Sequence, residues 1–432
     1  MKVLFYSDPT YFIERGGNSA GILVDHFYFF LMQSWGCEDK DVKTLVPEWT
    51  HIGLKKNRYD KYFNSIPIYK SEILKNYKFD TSLEELFIKQ YSDKGFSRKE
   101  KEYFKELTLK KLNGWVPDII FCFSYLSPFL RELFPDVLIL AQENAIFSSR
   151  APFMRSLFYD PCGFGRHSFL NKYSNEINNF AINEEQNILV ESLKNGIVNE
   201  VEKHNTNKDI ISEYRKKFSK LILLPLATTC GSPQKETEFT HDFYYTDYLM
   251  QSLPQDIGVV VTQHDIGASV LNQHMVSYLK AKYPNFIFLN NHGVFSSASL
   301  NIFAHVDAVV NLSSGTGLQA ILWDKPVIAM DKKFSHWFSD KVGIDGIQEF
   351  LEKPVKSKNN LIYWYLTHYC MFENRLSDSE WLNNYFTKKL DKFKKDGIRF
   401  DFYEQIEDFE LLSKYIIDYV KEQYKQTCIA QS

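Results

Sequence analysis

The chain has six cysteines, Cys37, Cys122, Cys162, Cys230, Cys370 and Cys428, and no two of them form a CxxC pair. That scatter excludes a zinc ribbon and offers no disulfide framework for a chain of 432 residues; it fits reduced thiols in a cytosol. Long apolar runs are missing too. Ile22 to Met32, the longest such stretch near the start, is interrupted by Asp25 and His26 and is too short to span a bilayer. MKVLFYSDPT lacks the apolar region and cleavage site of a signal peptide and reads as a strand. Neither sign of charge dominates. A net charge of −3 without any Lys/Arg block gives no electrostatic case for nucleic acid. Repeats and low-complexity segments are absent, which excludes a solenoid. The expectation is a cytoplasmic protein, with peripheral contact at the inner face of a membrane left open.

What is present is a globular composition, 44% hydrophobic and 24% charged. A chain of 432 residues exceeds the reach of one core, so two domains are expected. Val3 to Tyr6 reads as a first strand, followed by the loop Glu14 to Ser19 with Gly16 and Gly17, and a helix from about Ala20 to Gln33. A strand, a glycine-bearing loop and a helix open a doubly wound α/β domain. The pattern is not GxGxxG, so no dinucleotide site is expected there. Asp80 to Leu112 reads as a charged helical insertion. Asp118 to Phe123 and Val137 to Ala141 read as buried strands around a helix, Ser127 to Leu133, and Glu184 to His204 as a helix with a solvated face.

After the polar stretch Asn205 to Lys217 the alternation becomes regular. Strands at Leu221–Leu226, Gly258–Thr262, Phe286–Leu289, Ala308–Leu312 and Val327–Met330 are separated by helical patterns, including Ser269 to Lys282. This is the pattern of a parallel sheet wrapped by helices. The domain boundary is placed near residue 217, giving domains 1–217 and 218–395. A C-terminal helix follows within 396–432, with the apolar stripe Phe402, Ile406, Phe409, Leu412, Ile416 and Val420.

The most informative stretch is VDAVVNLSSGTGLQAILWDKPVIAM, Val306 to Met330. A β-branched strand turns through Ser313-Ser314-Gly315-Thr316-Gly317 into a short helical segment, Leu318 to Trp323. Asp324-Lys325-Pro326 stops that segment, and the next strand follows. Serine hydroxyls and backbone N–H groups gathered where a helix begins suit a phosphate. The competing explanation is that Ser313 and Ser314 only cap the helix.

The segment VVNLSSGTGLQAILWDKPVIAMDKKF resembles the strand, Ser-Ser/Thr, Gly, helix, GKPVI signature of bacterial capsular-polysaccharide biosynthesis glycosyltransferases. That group includes the Kdo and sialic-acid transferases that use CMP-activated sugars. GVVVTQHDIG, Gly258 to Gly267, resembles their strand ending in a His-Pro motif. AQENAIFSSRAPFMRSLFYDPCGFGRHS, Ala141 to Ser168, is similar to their N-domain segment with an acidic residue and a later Asp-x-x-Gly. The resemblance implies the GT-B fold: an α/β protein of two Rossmann-like domains with a central cleft and a C-terminal helix. It puts the acceptor on domain 1–217 and the nucleotide sugar on domain 218–395. No metal or other cofactor is implied, and no DxD motif stands where one would be demanded. Two positions depart from the pattern. Asp265 replaces the proline of His-Pro, and Gln319 stands where many such enzymes carry a ribose-binding glutamate, which weighs against a UDP donor.

His264, Ser313, Ser314, Gly315, Thr316 and Gln319 are thus the candidates for donor nucleotide and phosphate. His264 follows a strand, where an N–H-donating imidazole can stabilise a leaving phosphate; the alternative is a plain loop histidine, and His292 is a second candidate of the same kind. Glu143 and Asp160 are the catalytic candidates, with Glu143 preferred as general base on an acceptor hydroxyl or as nucleophile. Asp160, in Tyr159-Asp160-Pro161-Cys162-Gly163, has turn initiation as its structural explanation, and Glu143 has a salt bridge or cap. Arg150, Arg155 and Arg166 surround these carboxylates in sequence and can grip a carboxylate or phosphate with a guanidinium fork. Arg150 and Arg166, with Gly17, are assigned to the acceptor or an acidic group. The expected function is transfer of a sugar, such as Kdo or sialic acid from a CMP donor, onto a bacterial surface polysaccharide or lipooligosaccharide. The expected partners are a nucleotide sugar and a glycan or glycolipid acceptor. Two other readings stay open: a sugar-nucleotide epimerase on the same fold, and a non-catalytic carbohydrate-binding or assembly protein.

Overall fold

A computed structural model of the chain describes residues 1–10, 41–56, 65–78, 81–91, 95–123, 126–147, 152–226, 241–263, 270–289, 298–312, 314–330 and 336–431. Its strands in chain order are β1 (Val3–Tyr6), β2 (Val42–Pro47), β3 (Ser65–Ile68), β4 (Ile119–Phe123), β5 (Leu138–Asn144), β6 (Ser156–Asp160) and β7 (Lys220–Leu226). Then come β8 (Ile257–Gln263), β9 (Phe286–Phe288), β10 (Ala308–Asn311), β11 (Val327–Ala329), β12 (Lys341–Val342) and β13 (Met371–Phe372). They form two sheets, in the orders β13-β6-β5-β4-β1-β2-β3 and β12-β11-β10-β7-β8-β9.

Every pair in the second sheet is parallel. Counted from β7, its order is 3-2-1-4-5-6, the doubly wound arrangement in which the winding reverses between the first strand and the fourth. The first sheet repeats that reversal between β1 and β4 and differs in carrying β6, which runs antiparallel to β5, with β13 as the edge strand beyond it. Leu221 to Leu226 are buried without interruption, as a parallel strand covered on both faces requires. Ile222, Leu224, Val259, Val261, Val310 and Ile328 pack on one face with Tyr245, Leu249 and Leu279 from the covering helices.

The chain divides into two compact units. One comprises Met1–Asn144, Leu157–Phe169 and Met371–Glu404; the other comprises Ala145–Ser156, Leu170–Cys370 and Gln405–Ser432. The expected boundary at residue 217 is therefore displaced, for a packing reason. The helix Glu184–Lys203 belongs with the C-terminal helix Phe409–Gln431. A Cβ at Gly196 would lie 2.6 Å from Ile417 Cδ1, so glycine there lets the Ile417 side chain pack directly on the helix backbone. Further along, the His204 ring stacks on Tyr424 at 4.5 Å. Buried Lys194 adds hydrogen bonds to Asp324 (2.6 Å) and Asn359 (3.1 Å). Residues 371–404 return to the first unit instead, where Phe386 meets Phe121 and Tyr159 edge-on at 4.9 and 5.1 Å.

The expected helical insertion at Asp80–Leu112 is also revised. Its helices Leu83–Tyr91 and Arg98–Leu112 bury Leu86, Phe104, Leu107 and Leu112 in one core with Leu4, Tyr6 and Ile120. They are the crossover from β3 to β4 and cover the sheet. The C-terminal stripe divides as well: Phe402 sits in a 3-10 turn of the first unit, while Phe409, Leu412, Ile416 and Val420 line the final helix. The helix expected at Ala20–Gln33 lies outside the described residues.

One buried cation stands out in the first unit. Lys389, on the helix Ser379–Asp396, lies 5.1, 4.9 and 4.8 Å from the ring centroids of Tyr385, Phe402 and Tyr403. It donates to the Phe402 carbonyl, and so holds the segment that leads toward the final helix. Burial pushes its ammonium down to about 7, against the pull of Glu404 and Asp401. Between about 7 and the free value of roughly 10.4 the unfolded chain binds a proton that the folded chain does not. Stability should therefore rise with pH across that window. The stability of wild type relative to Lys389→Met, followed by thermal unfolding from pH 6.5 to about 10, is expected to increase; a constant difference would show an unperturbed lysine.

Candidate functional site

The carboxyl edge of the second sheet is the natural place for a ligand in a fold of this kind. β10 and β8 both run parallel to β7 and flank it. Val309 is level with Leu223, and Leu226 with Gln263, so the carboxyl ends of all three strands open on the same edge. The ends of β10 and β8 are two strand spacings apart, roughly 9.5 Å. The reversal point lies between β7 and β10.

At that point β10 ends on Asn311, which is fully buried. Its Oδ1 accepts from the Ser314 N–H at 3.2 Å. A Cβ at Gly317 would fall 2.4 Å from Asn311 Cγ, so this turn requires glycine. Ser314 caps the helix Gly315–Gln319, its Oγ accepting from the Thr316 N–H at 3.3 Å. The capping explanation is therefore realised for Ser314, and a hydroxyl that accepts one bond keeps its own proton to donate. Gly315 is exposed, with open space where a Cβ would point, and Thr316 is half-buried. The helical segment continues as a 3-10 turn, Ala320–Trp323, and stops at Asp324, whose φ is 51°.

Gln319 is placed differently from its expected role on a nucleotide. It is buried, and its Nε2 donates to the backbone carbonyl of Ile146 at 3.0 Å. At the end of β8, Gln263 Oε1 accepts from the Leu271 N–H at 3.0 Å, which ties the two ends of the segment carrying His264. His264, Ser313, His292, Arg150 and Gly17 all lie outside the described residues.

In the first unit, Glu143 lies within β5 rather than past its end, paired with Phe158 of β6. It is half-buried, and its Oε1 accepts from the Asn144 N–H at 2.9 Å and from Asn144 Nδ2 at 3.4 Å. Asn144 thus orients the carboxylate. Asp160 is fully buried and acts as an acceptor of backbone bonds. Its Oδ1 takes the N–H groups of Cys162 (2.7 Å) and Gly163 (3.0 Å), and its Oδ2 takes that of Phe169 (2.7 Å). Turn formation accounts for the bonds from Cys162 and Gly163, and the bond from Phe169 ties in the start of the next helix, so the described partners of this buried carboxylate are structural. Arg166 is half-buried, and its Nε donates to His167 Nε2 at 2.8 Å.

The first sheet's reversal point holds a residue that sequence reading passed over. Asp8, just beyond β1, is buried and its Oδ1 accepts from Thr10 N (2.8 Å) and Thr10 Oγ1 (2.6 Å). Gln90 Nε2 and Ser127 Oγ donate to its Oδ2. Four donors on one carboxylate pin the loops at this edge. The signal was available in Ser7-Asp8-Pro9-Thr10, where Asp precedes Pro and a hydroxyl follows two residues on. Among the described residues no group of three or more His, Cys, Asp or Glu side chains could hold a metal ion. No described helix is long and apolar enough to cross a membrane.

No family model matches the chain, and no curated relative matches it either. Solved structures do resemble it. The beta Kdo 2,7 transferase of Thermosulfurimonas dismutans KpsC is 17% identical over 70% of this chain and 98% of that one, with a TM-score of 0.38. The UDP-GlcNAc 2-epimerase of Neisseria meningitidis, bound to UDP-GlcNAc, is 12% identical over 98% of this chain and 100% of that one, with a TM-score of 0.31. An OtsA apo structure is 11% identical over 90% and 99%, with a TM-score of 0.38. These likenesses are distant, and no substrate passes from them to this chain. The fold is GT-B-like in its parts: two doubly wound α/β units and a C-terminal helix.

The structural part given to Asp160 can be measured. Asp160→Ala orphans two buried N–H groups, those of Gly163 and Phe169, at ~1–3 kcal/mol each, so urea denaturation should register a loss of at least about 2 kcal/mol. A stably folded but inactive Asp160→Ala would return the residue to the catalytic list.

Proposed function

We propose that the chain is a nucleotide-sugar-dependent glycosyltransferase that builds a bacterial surface polysaccharide or lipooligosaccharide. The second unit takes the nucleotide and the first the acceptor. The observation that supports this most is the Ser314–Gly317 turn, held open by the Asn311–Gly317 contact at the reversal point of a 3-2-1-4-5-6 sheet. Ser314 and Thr316 offer hydroxyl donors to a phosphate there, beside an exposed glycine backbone. His264, one residue beyond β8, is assigned to the same edge as a donor to the leaving phosphate.

Glu143 takes the acceptor proton. The acceptor oxygen forms a bond to the anomeric carbon as that carbon's bond to phosphate breaks, and the nucleotide leaves carrying the negative charge. An acidic donor sugar such as Kdo or sialic acid suits Arg150 and Arg166, and a CMP carrier suits Gln319, which is engaged with Ile146. Neither metal nor cofactor enters this scheme.

Thermal-shift measurements across CMP, UDP, GDP and ADP are expected to show stabilisation by one of them, CMP foremost, because a ligand of the folded state raises its stability. Ser314→Ala should weaken that nucleotide roughly ten- to a hundredfold, the worth of one bond to a charged group. No shift with any nucleotide, or equal affinity in Ser314→Ala, would leave the serine as a cap alone. Glu143→Gln should keep nucleotide affinity while lowering turnover by ~10²–10⁴. An almost dead variant with a covalent sugar adduct on the wild type would make Glu143 a nucleophile. Turnover of the nucleotide sugar without any acceptor would point to an epimerase.

A further inference from the structure

The chain passes between its two units at five junctions: 144/145, 156/157, 169/170, 370/371 and 404/405. Four of these have their second-unit ends joined by hydrogen bonds. Ala145 N donates to the Ser156 carbonyl at 2.9 Å, and Ser156 N to the Phe147 carbonyl at 3.0 Å. Ser156 Oγ adds a bond to that same carbonyl at 2.9 Å. Ile406 N, next to the last junction, donates to the Thr367 carbonyl at 2.8 Å, close to the junction at 370/371. Ile146 thus lies between two residues, Ala145 and Phe147, that are both bonded to Ser156.

The carbonyl of Ile146 is held by Gln319. Gln319 ends the helix that Ser314 caps, and it lies four residues, about one turn, after Gly315. Its amide is buried, and the Ile146 carbonyl it serves is buried with it. A buried carbonyl must keep a donor, so this bond cannot be traded for solvent. A leucine at 319 removes the donor. An ionised glutamate also has none, and it sets two oxygens against a third.

We propose that Gln319 is a positioning residue that couples occupancy of the Ser314–Gly317 turn to the junction segment Ala145–Phe147. This rests on the nucleotide site assigned above. A phosphate on the turn fixes its helix. The helix carries Gln319, and Gln319 holds Ile146 three residues beyond Glu143. The chain at the first junction is then stiffened when nucleotide is bound.

Hydrogen exchange on the full chain, read by mass spectrometry over residues 145–147, tests this. The probe is whichever of CMP, UDP, GDP and ADP shifts the wild-type melting temperature most. In wild type, nucleotide should slow exchange of these amides. In Gln319→Leu the melting shift with nucleotide should persist. Basal exchange at 145–147 should be about five- to tenfold faster, the worth of one neutral hydrogen bond, and should no longer respond to nucleotide. Gln319→Glu should match Gln319→Leu at neutral pH and recover protection as its carboxyl is protonated at lower pH, when it regains a donor; it serves as the working variant if the leucine fails to fold. Unchanged exchange in both variants, or a response to nucleotide that survives them, overturns the coupling. Loss of the nucleotide shift in a folded Gln319→Leu also overturns it, by making Gln319 a ligand contact. A wild type that no nucleotide stabilises sinks the nucleotide site and the coupling together. A shift without any change at 145–147 sinks the coupling alone.

Discussion

Because β7 is buried along Leu221 to Leu226, with helices packed over its sheet, neither face can carry a polar side chain cheaply. The sheet's chemistry is therefore driven to strand ends. Asn311, the last residue of β10, is buried and shapes the turn after it against Gly317. The reversal of winding then sets which ends meet: the carboxyl ends of β7 and β10 lie side by side at the reversal point. The first unit follows the same logic, with Asp8 at the end of β1 gathering Thr10, Gln90 and Ser127. A buried carboxylate is tolerated there because its acceptor sites are met by donors.

The two carboxylates once paired as catalytic candidates part company on burial and bonding. Asp160 spends both oxygens on three backbone N–H groups. Glu143 is half-buried and steadied by its neighbour Asn144. A base must reach its proton before its pKa matters, which is why that part is proposed for half-buried Glu143 and not for buried Asp160. Interleaving of the units adds a second constraint. Segments 145–156 and 371–404 each leave one unit to join the other, and hydrogen bonds such as that from Gln319 to Ile146 hold the chain close to where it crosses.

Strands buried on both faces were legible in the sequence because their apolar runs are unbroken: β1 was found residue for residue, and β4, β7, β8 and β10 to within a residue or so at each end. β2, β3, β6, β12 and β13 were not. VKTLVP and SIPI carry proline and polar residues, and β12 and β13 are two residues long, too short for any period to register. The domain boundary was misplaced because the helix Glu184–Lys203 looks solvated in sequence. Its burial depends on Ile417 and Tyr424, more than two hundred residues on. In the site, the Ser314 cap followed from its residue type. The Gln319–Ile146 bond could not, since it spans 173 positions. The local pattern Ser7-Asp8-Pro9-Thr10 carries the Asp8–Thr10 bonds, while those from Gln90 and Ser127 span 82 and 119 positions and leave no local signal.

The most direct test of nucleotide binding at the reversal point is a crystal structure of the full chain with the nucleotide that stabilises it. Phosphate oxygens within about 3.2 Å of Ser314 Oγ, at the carboxyl ends of β7 and β10, are the expected result. A nucleotide seated at the amino edge of that sheet, or on the first unit alone, would contradict it.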